Sequence, residues 1–318
     1  MNVYRDLKEV PFDKRSAVTI GTYDGLHLAH RQVINKVIAL SAEKGLRSFI
    51  VTFEPHPQEV LKNKTPDIKL LTAIDEKLRL FEAAGIENVL VIEFTEEFSK
   101  TNAREFYEKY IAGGIGLSDL VIGYDHLFGR NREGSFETLK ELGNEFGFET
   151  HRVEEIDVEG RPVSSTRIRH ALAEGNIEEA NRLLGYEYGF DGIVVEGDKV
   201  GRTIGYPTVN LKPVKENKVM PREGIYCVRV IHNGREYFGM MYHGYRPTLS
   251  EGIKRALEVH IFDFSSNVYG DKITISFLTR LRDDKKFSGK EELIAQIDKD
   301  KEDSLRYINE FRKNKIKQ

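Results

Sequence analysis

Ala17-Val18-Thr19-Ile20-Gly21-Thr22-Tyr23-Asp24-Gly25-Leu26-His27-Leu28-Ala29-His30 is the stretch from which the fold is read. Its first four residues form a buried strand. The glycine-bearing turn after them runs straight into a helix, because Val33, Ile34, Val37 and Ile38 recur at helical spacing. A strand, a turn and a helix N-terminus point free backbone N–H groups at one spot, where the helix dipole adds partial positive charge. Phosphate is the natural guest there. His27 and His30, three residues apart, share one face of the first turn. Three readings of the pair stand at this point: hydrogen-bond donors to a polyphosphate, ligands of a metal, or helix-capping residues.

Outward from that stretch, short apolar runs alternate with helical patterns. Phe49–Phe53, Val89–Ile92 and Leu120–Ile122 are apolar on both faces, as buried parallel strands are. Phe136, Leu139, Leu142 and Phe146 mark another amphipathic helix, and a helix through Ile177–Leu184 stops at Gly185. This predicts an α/β unit with a parallel sheet over residues 1–186. Beyond it the pattern changes. Tyr226–Ile231, an Asn233-Gly234 turn and Tyr237–Met241 form a hairpin, with further β-rich runs at Ala256–Phe264 and Lys272–Leu281 and a polar helix over Lys290–Phe311. A small antiparallel β-barrel with terminal helices is expected over residues 187–318.

Composition narrows the function. Two cores fit a chain of 318 residues, and 40% hydrophobic with 31% charged residues is ordinary for a soluble globular protein. A net charge of −3 gives no broad footprint for nucleic acid, so an anion must be gripped locally. No apolar run approaches the roughly 20 residues of a membrane helix, and the start, MNVYRDLKEV, predicts no signal peptide. The single cysteine, Cys227, excludes an internal disulfide framework and fits a reducing, cytoplasmic setting.

Further blocks repeat the chemistry. Phe53-Glu54-Pro55-His56-Pro57 follows a strand, as does Gly123-Tyr124-Asp125-His126-Leu127-Phe128-Gly129-Arg130-Asn131-Arg132-Glu133-Gly134. Loops after parallel strands line a ligand crevice. Ser164-Ser165-Thr166-Arg167-Ile168-Arg169 offers hydroxyls and a forked guanidinium at a helix start. In the second half, Gly197, Gly201 and Gly205 precede Pro207-Thr208-Val209-Asn210. Later comes Glu258-Val259-His260-Ile261-Phe262-Asp263-Phe264, whose alternation puts Glu258, His260 and Phe262 on one face. We expect that face to be the inner one, where a carboxylate is costly unless it works.

These blocks, in this order, resemble the bacterial bifunctional riboflavin kinase/FAD synthetase family. The first matches its GxFDGxHxGH form of the nucleotidylyltransferase loop, with Tyr23 for Phe and Ala29 for Gly. The others match FxPHP, GxDFxFGxxRxG (with His126 for Phe), SSTxIR, PTxN and ExHxxDF. The resemblance implies a Rossmann-like nucleotidylyltransferase domain and a riboflavin kinase barrel, with ATP as co-substrate and magnesium as cofactor. Riboflavin, FMN and FAD would be its other partners. It implies that His27, His30, Gly21, Asp24, Ser164, Thr166 and Arg167 serve adenylylation, while Gly197, Gly201, Arg202 and Gly205 hold nucleotide in the barrel. Thr208 and Asn210 would hold the metal and Glu258 would be the kinase base. Asp125, Phe128, Arg132 and Arg282 would bind flavin.

Overall fold

The computed structural model describes residues 1–61, 68–124, 135–197, 200–248 and 252–316. The chain divides into two compact units, Met1–Ser165 and Thr166–Gln318. The first is an α/β layer structure. Its strands β1 (Asn2–Tyr4), β2 (Ser16–Ile20), β3 (Arg47–Glu54), β4 (Asn88–Glu93), β5 (Asp119–Ile122) and β6 (Glu149–Arg152) form one sheet in the order β1-β4-β3-β2-β5-β6. Every neighbouring pair is parallel.

Parallel strands need crossovers, and the helices α1 (Leu28–Lys44), α2 (Pro57–Val60), α3 (Ile74–Ala83), α4 (Ala103–Phe106) and α5 (Phe136–Phe146) supply them. A π-helical turn, Tyr107–Ile115, continues α4. Both sheet faces are therefore covered. Ala17, Ile50 and Val89 pack with Val33, Ile34 and Val37 of α1 and Phe81 of α3. Val18, Phe49 and Leu120 turn the other way, against Phe106, Tyr107, Leu139 and Leu142. Fully burying each such side chain stabilises the fold by about 1.5–3 kcal/mol. A short hairpin, β7 (Asp157–Val158) with β8 (Arg161–Pro162), closes the unit.

The strand order fixes where a ligand can sit. The chain steps from β2 outward to β3 and β4, then returns to the far side of β2 to lay down β5. The C-terminal ends of β2 and β5 thus flank the point where the strand order reverses, the place of the ligand crevice in such sheets. The Gly21–His30 loop leaves β2 at that edge.

α6 (Ser165–Glu174) begins on the last residue of the first unit, and α7 (Ile177–Leu184) follows it in the second, ending at Gly185 in the left-handed conformation, φ 74°. Then β9 (Gly189–Val195), α8 (Val200–Thr203), β10 (Val209–Pro213), β11 (Gly224–His232), β12 (Arg235–Thr248), β13 (Gly252–Ile261) and β14 (Lys272–Arg282) precede the long α9 (Lys290–Ile316). The strands close into an antiparallel barrel, β10-β13-β12-β11-β14-β9. Tyr226, Val228, Val230, Met241, Val259, Ile275 and Phe277 fill it. The opposite strand face is apolar too: Cys227, Met240 and Leu278 pack against Ile308 of α9.

That second apolar face corrects the sequence reading of Glu258. Register pairs Glu258 with Tyr242 and with Asn210, while Met241 pairs with the fully buried Val259. Glu258 therefore stands on the barrel's outer face, in step with Met240 and His260. The alternation is as expected but its phase is reversed, because α9 makes outward residues as apolar as inward ones. An outward carboxylate also avoids desolvation in the core. Smaller differences concern ends. The strand expected to reach Phe264 stops at Ile261, and the last helix runs on to Ile316. Among the described residues no helix is long and apolar enough to cross a membrane.

His243, 4% exposed, is paired in register with Gly224 and Leu257. Burial, helped by the nearby Arg255 charge, pulls its imidazole down from 6.5 to about 4. The unfolded chain binds a proton below 6.5 that the folded chain refuses until about 4, so stability must fall across that window as pH drops. The loss should approach ~3 kcal/mol at the acid end, at 1.36 kcal/mol per unit. Thermal unfolding between pH 7 and 4 checks this: His243→Leu should flatten the slope, and an unchanged slope would refute it.

Candidate functional sites

In the first unit the loop after β2 is held from three sides. Tyr23, at φ 48°, folds its ring over Gly21, where a Cβ would come within 3.0 Å of it, and its hydroxyl pairs with Thr19 at 2.7 Å. Asp24 is buried. Its Oδ1 accepts the amides of Leu71 at 2.9 Å and Thr72 at 3.0 Å, and Thr72 Oγ1 accepts the Gly25 amide at 3.0 Å. The Asp24 carbonyl accepts Ser165 Oγ at 2.8 Å. Asp24 thus sits as the loop's anchor, its carboxylate engaged by Leu71 and Thr72.

The anchored loop presents α1 end-on. His27 is the N-cap residue by backbone, its carbonyl accepting the Arg31 amide at 2.9 Å, yet it makes no side-chain cap. The capping reading of the histidines therefore loses its support for His27. Instead the two imidazoles stack, with ring centroids 3.6 Å apart and planes 15° from parallel. Tyr23 meets His30 edge-on. Burial holds His30 well below its ordinary value, and the neighbouring His27 and Lys77 push the same way. At neutral pH its ring is uncharged.

Other first-unit blocks fall out differently. His56 caps α2, with Nδ1 accepting the Gln58 amide at 3.2 Å while Glu59 accepts the His56 amide at 2.9 Å. Asp125, Phe128 and Arg132 lie outside the described residues. Just before them, Tyr124 gives its carbonyl to Arg152 Nη2 at 2.6 Å and its ring face to the same guanidinium. Ser164 is half-buried where α6 begins and Thr166 is exposed. Arg167, in the second unit, donates to Glu179 at 2.5 Å. Among the described residues one cluster of potential metal ligands, Asp119, Glu149 and His151, sits where β5 and β6 start, at the other end of the strands from the β2–α1 loop. Lys44 already fills it, 2.5 Å from Asp119 and 3.2 Å from Glu149.

The second unit gathers its motif residues on the outer barrel face. Asn210 and Glu258 are register partners on β10 and β13, and Thr208 Oγ1 lies 3.5 Å from Glu258 Oε2. His260 Nδ1 is 2.8 Å from the Pro207 carbonyl and fixes the strand's approach. A Cβ at Gly197 would come within 2.0 Å of the Asn210 side-chain nitrogen, so that amide would have to move. At Gly201 a Cβ would meet the Tyr206 carbonyl at 2.2 Å, and Gly205 takes φ 85°. Arg202 is exposed at the end of α8. Hydroxyl, amide and carboxylate oxygens make a hard donor set that suits magnesium.

The same register row continues around the barrel through Tyr242 and Ile225 to Arg282. Arg282 spends Nε and Nη2 on the buried Asp300 of α9, at 2.8 and 2.6 Å, and Nη1 on the Asp283 carbonyl at 3.0 Å. It pins α9 to the barrel. Three residues escaped the sequence reading. Tyr242, beside Glu258, donates to Asp284 at 3.0 Å; Ser165, within the first unit, donates to the Asp24 carbonyl; and Lys77 of α3 is buried. Only Ser165 carried a signal, inside the Ser164–Arg169 block.

Known proteins match both halves. The sequence model of the FAD synthetase family matches residues 9–167, and that of the riboflavin kinase family matches residues 184–308. A bifunctional riboflavin kinase/FMN adenylyltransferase of Bacillus subtilis (strain 168) is 37% identical over 304 residues, covering 94% of each chain. One from Escherichia coli (strain K12) is 34% identical over 284 residues, covering 89% of this chain and 90% of its own. A solved structure titled a macrolide-efflux protein, from Streptococcus pneumoniae, is 31% identical with a TM-score of 0.87, covering 96% of this chain and 98% of its own.

The geometry of Asp24 has a testable consequence. Asp24→Ala strands two buried amides, at about 1–3 kcal/mol each, so the first unit should melt at clearly lower temperature even without ligand. Calorimetry of the unliganded protein decides it. Unchanged melting would mean that the carboxylate is no anchor.

Proposed function

The chain belongs to the bifunctional riboflavin kinase/FMN adenylyltransferase family, and from that premise we propose how its two sites divide the work. It uses ATP twice: to phosphorylate riboflavin to FMN, and to adenylylate FMN to FAD with release of pyrophosphate. We assign the first step to residues 187–318 and the second to residues 1–186. The assignment is supported by a loop in each half whose make-up suits an anion. One stands at the start of α1, where His27 makes no side-chain cap; the other includes Thr208 and Asn210, set beside Glu258.

For phosphorylation, Glu258 is the general base. Its carboxylate accepts the proton of the ribityl hydroxyl while that oxygen attacks the γ-phosphorus of ATP. Thr208 and Asn210 would hold magnesium, which when bound neutralises polyphosphate charge. Gly197 and Gly201 let backbone approach the nucleotide closely, with Gly205 turning the loop and Arg202 at its rim. Arg282 acts at one remove from flavin, fixing the loop after β14 through Asp300.

For adenylylation the FMN phosphate is itself the nucleophile. An oxygen of that phosphate bonds to the α-phosphorus of ATP as the bond to the bridging oxygen breaks, and pyrophosphate leaves. The protein needs orientation and charge stabilisation more than a base. His27, His30 and the backbone amides at the start of α1 grip the polyphosphate, and Gly21 and Asp24 shape the loop that presents them. Ser164, Thr166 and Arg167 are assigned to the nucleotide and Asp125, Phe128 and Arg132 to the flavin. A cytoplasmic setting fits the single, buried cysteine.

Two single-site changes should uncouple the steps. Glu258→Gln should slow FMN formation ~100- to 10,000-fold, about 3–5 kcal/mol of barrier, and leave FAD formation from added FMN intact. His27→Ala should stop the sequence at FMN. Chromatography of the flavins reads both, and loss of FAD synthesis from FMN in Glu258→Gln would reverse the assignment of halves. Excess EDTA should abolish both steps; undiminished turnover would remove magnesium from the account.

A further inference from the structure

Arg282 pins α9 to the barrel through Asp300, and from that fixed helix two side chains reach the Gly201–Tyr206 turn. Lys290 Nζ donates to the Thr203 carbonyl at 3.3 Å, and Asp298 accepts the Tyr206 hydroxyl. Lys301, on the same helix face as Asp298, stands over the Tyr206 ring, 6.0 Å from its centre. On its other side Tyr206 meets His260 of β13 edge-on at 5.1 Å, and His260 Nδ1 lies 2.8 Å from the Pro207 carbonyl. The Tyr206 amide closes the turn on the Gly201 carbonyl at 2.8 Å. Burial, and then the Asp298 charge, push the phenol up to about 12, so at neutral pH it remains a donor. One half-buried side chain thus joins the turn, the last helix and the strand that carries Glu258.

We propose that Tyr206 is a positioning residue of the kinase site: its hydroxyl clamps the nucleotide-holding turn to α9, and its ring keeps Pro207–Asn210 on the Glu258 strand. The two contacts have different consequences. Without the hydroxyl the turn drifts from α9 and holds ATP less well, while Thr208 and Asn210 stay beside Glu258. Without the ring those two residues shift relative to Glu258, and the chemical step slows. The inference rests on the kinase assignment above and deepens it.

The test is steady-state kinetics of FMN formation by the full chain, with ADP binding measured by calorimetry. In Tyr206→Phe the KM for ATP should rise about 3- to 10-fold, the loss of one hydrogen bond, with kcat within about twofold. The KM for riboflavin should not change, and ADP affinity should fall by the same factor as the KM for ATP rises. Asp298→Ala should match Tyr206→Phe, and the double variant should be no worse than either. Asp298→Asn, whose side-chain carbonyl still accepts, should stay near the unmodified chain. In Tyr206→Leu kcat should fall about tenfold as well. FAD formation from added FMN should be untouched throughout. A KM for ATP that ignores Tyr206→Phe would overturn the proposal. So would a rise in both KM values with a lowered melting temperature, the mark of a merely structural role. Should Tyr206→Leu not fold, Tyr206→Phe and the Asp298 variants decide by the same criteria. A chain that formed no FMN while its ADP affinity still answered to Tyr206→Phe would sink the kinase assignment and leave the clamp standing.

Discussion

One buried carboxylate organises the first unit. Asp24 accepts the amides of Leu71 and Thr72, and its own carbonyl accepts Ser165. Three segments far apart in sequence therefore converge on a single residue. Charge-assisted bonds of this kind contribute about 1.5–3 kcal/mol each, enough to hold Tyr23 and Leu26 at positive φ. That strained turn then aims the start of α1 into the crevice left where the sheet reverses direction. Remove the anchor and the amides, the stacked histidines and α3 lose their common frame.

The barrel solves the same problem by alternation. Inward positions are filled with large apolar side chains, so chemistry is confined to the outer face. There the β10–β13–β12 register brings Asn210, Glu258 and Tyr242 into one row. A side chain at Gly197 would displace the Asn210 amide from its place in that row. The two proposed phosphate sites thus differ in kind, a helix terminus in one unit and residues beside a barrel strand in the other.

Much of this was legible in the sequence. The buried strands, the Ile177–Leu184 helix with its Gly185 stop and the Asn233-Gly234 hairpin follow from periodicity and turn chemistry, which are local. The phase of Glu258 was not legible, because both barrel faces are apolar and only α9 reveals which is the outside. Arg167 and Arg282 read as ligand-binding guanidiniums, yet each is found on a carboxylate, Glu179 and Asp300. Such pairings depend on which helices pack together, and no short motif encodes that. Lys77 lay hidden for the same reason: a lysine in a helix's first turn looks solvated until α3 is seen against α1.

The central claim is that two separate sites act in sequence on one flavin. Its most direct test is a time course of the full chain with riboflavin, ATP and magnesium, with flavins separated by chromatography and pyrophosphate measured alongside. FMN should appear first and then decline as FAD forms with one pyrophosphate each. Riboflavin left unchanged, or FMN accumulating with neither FAD nor pyrophosphate, would contradict it.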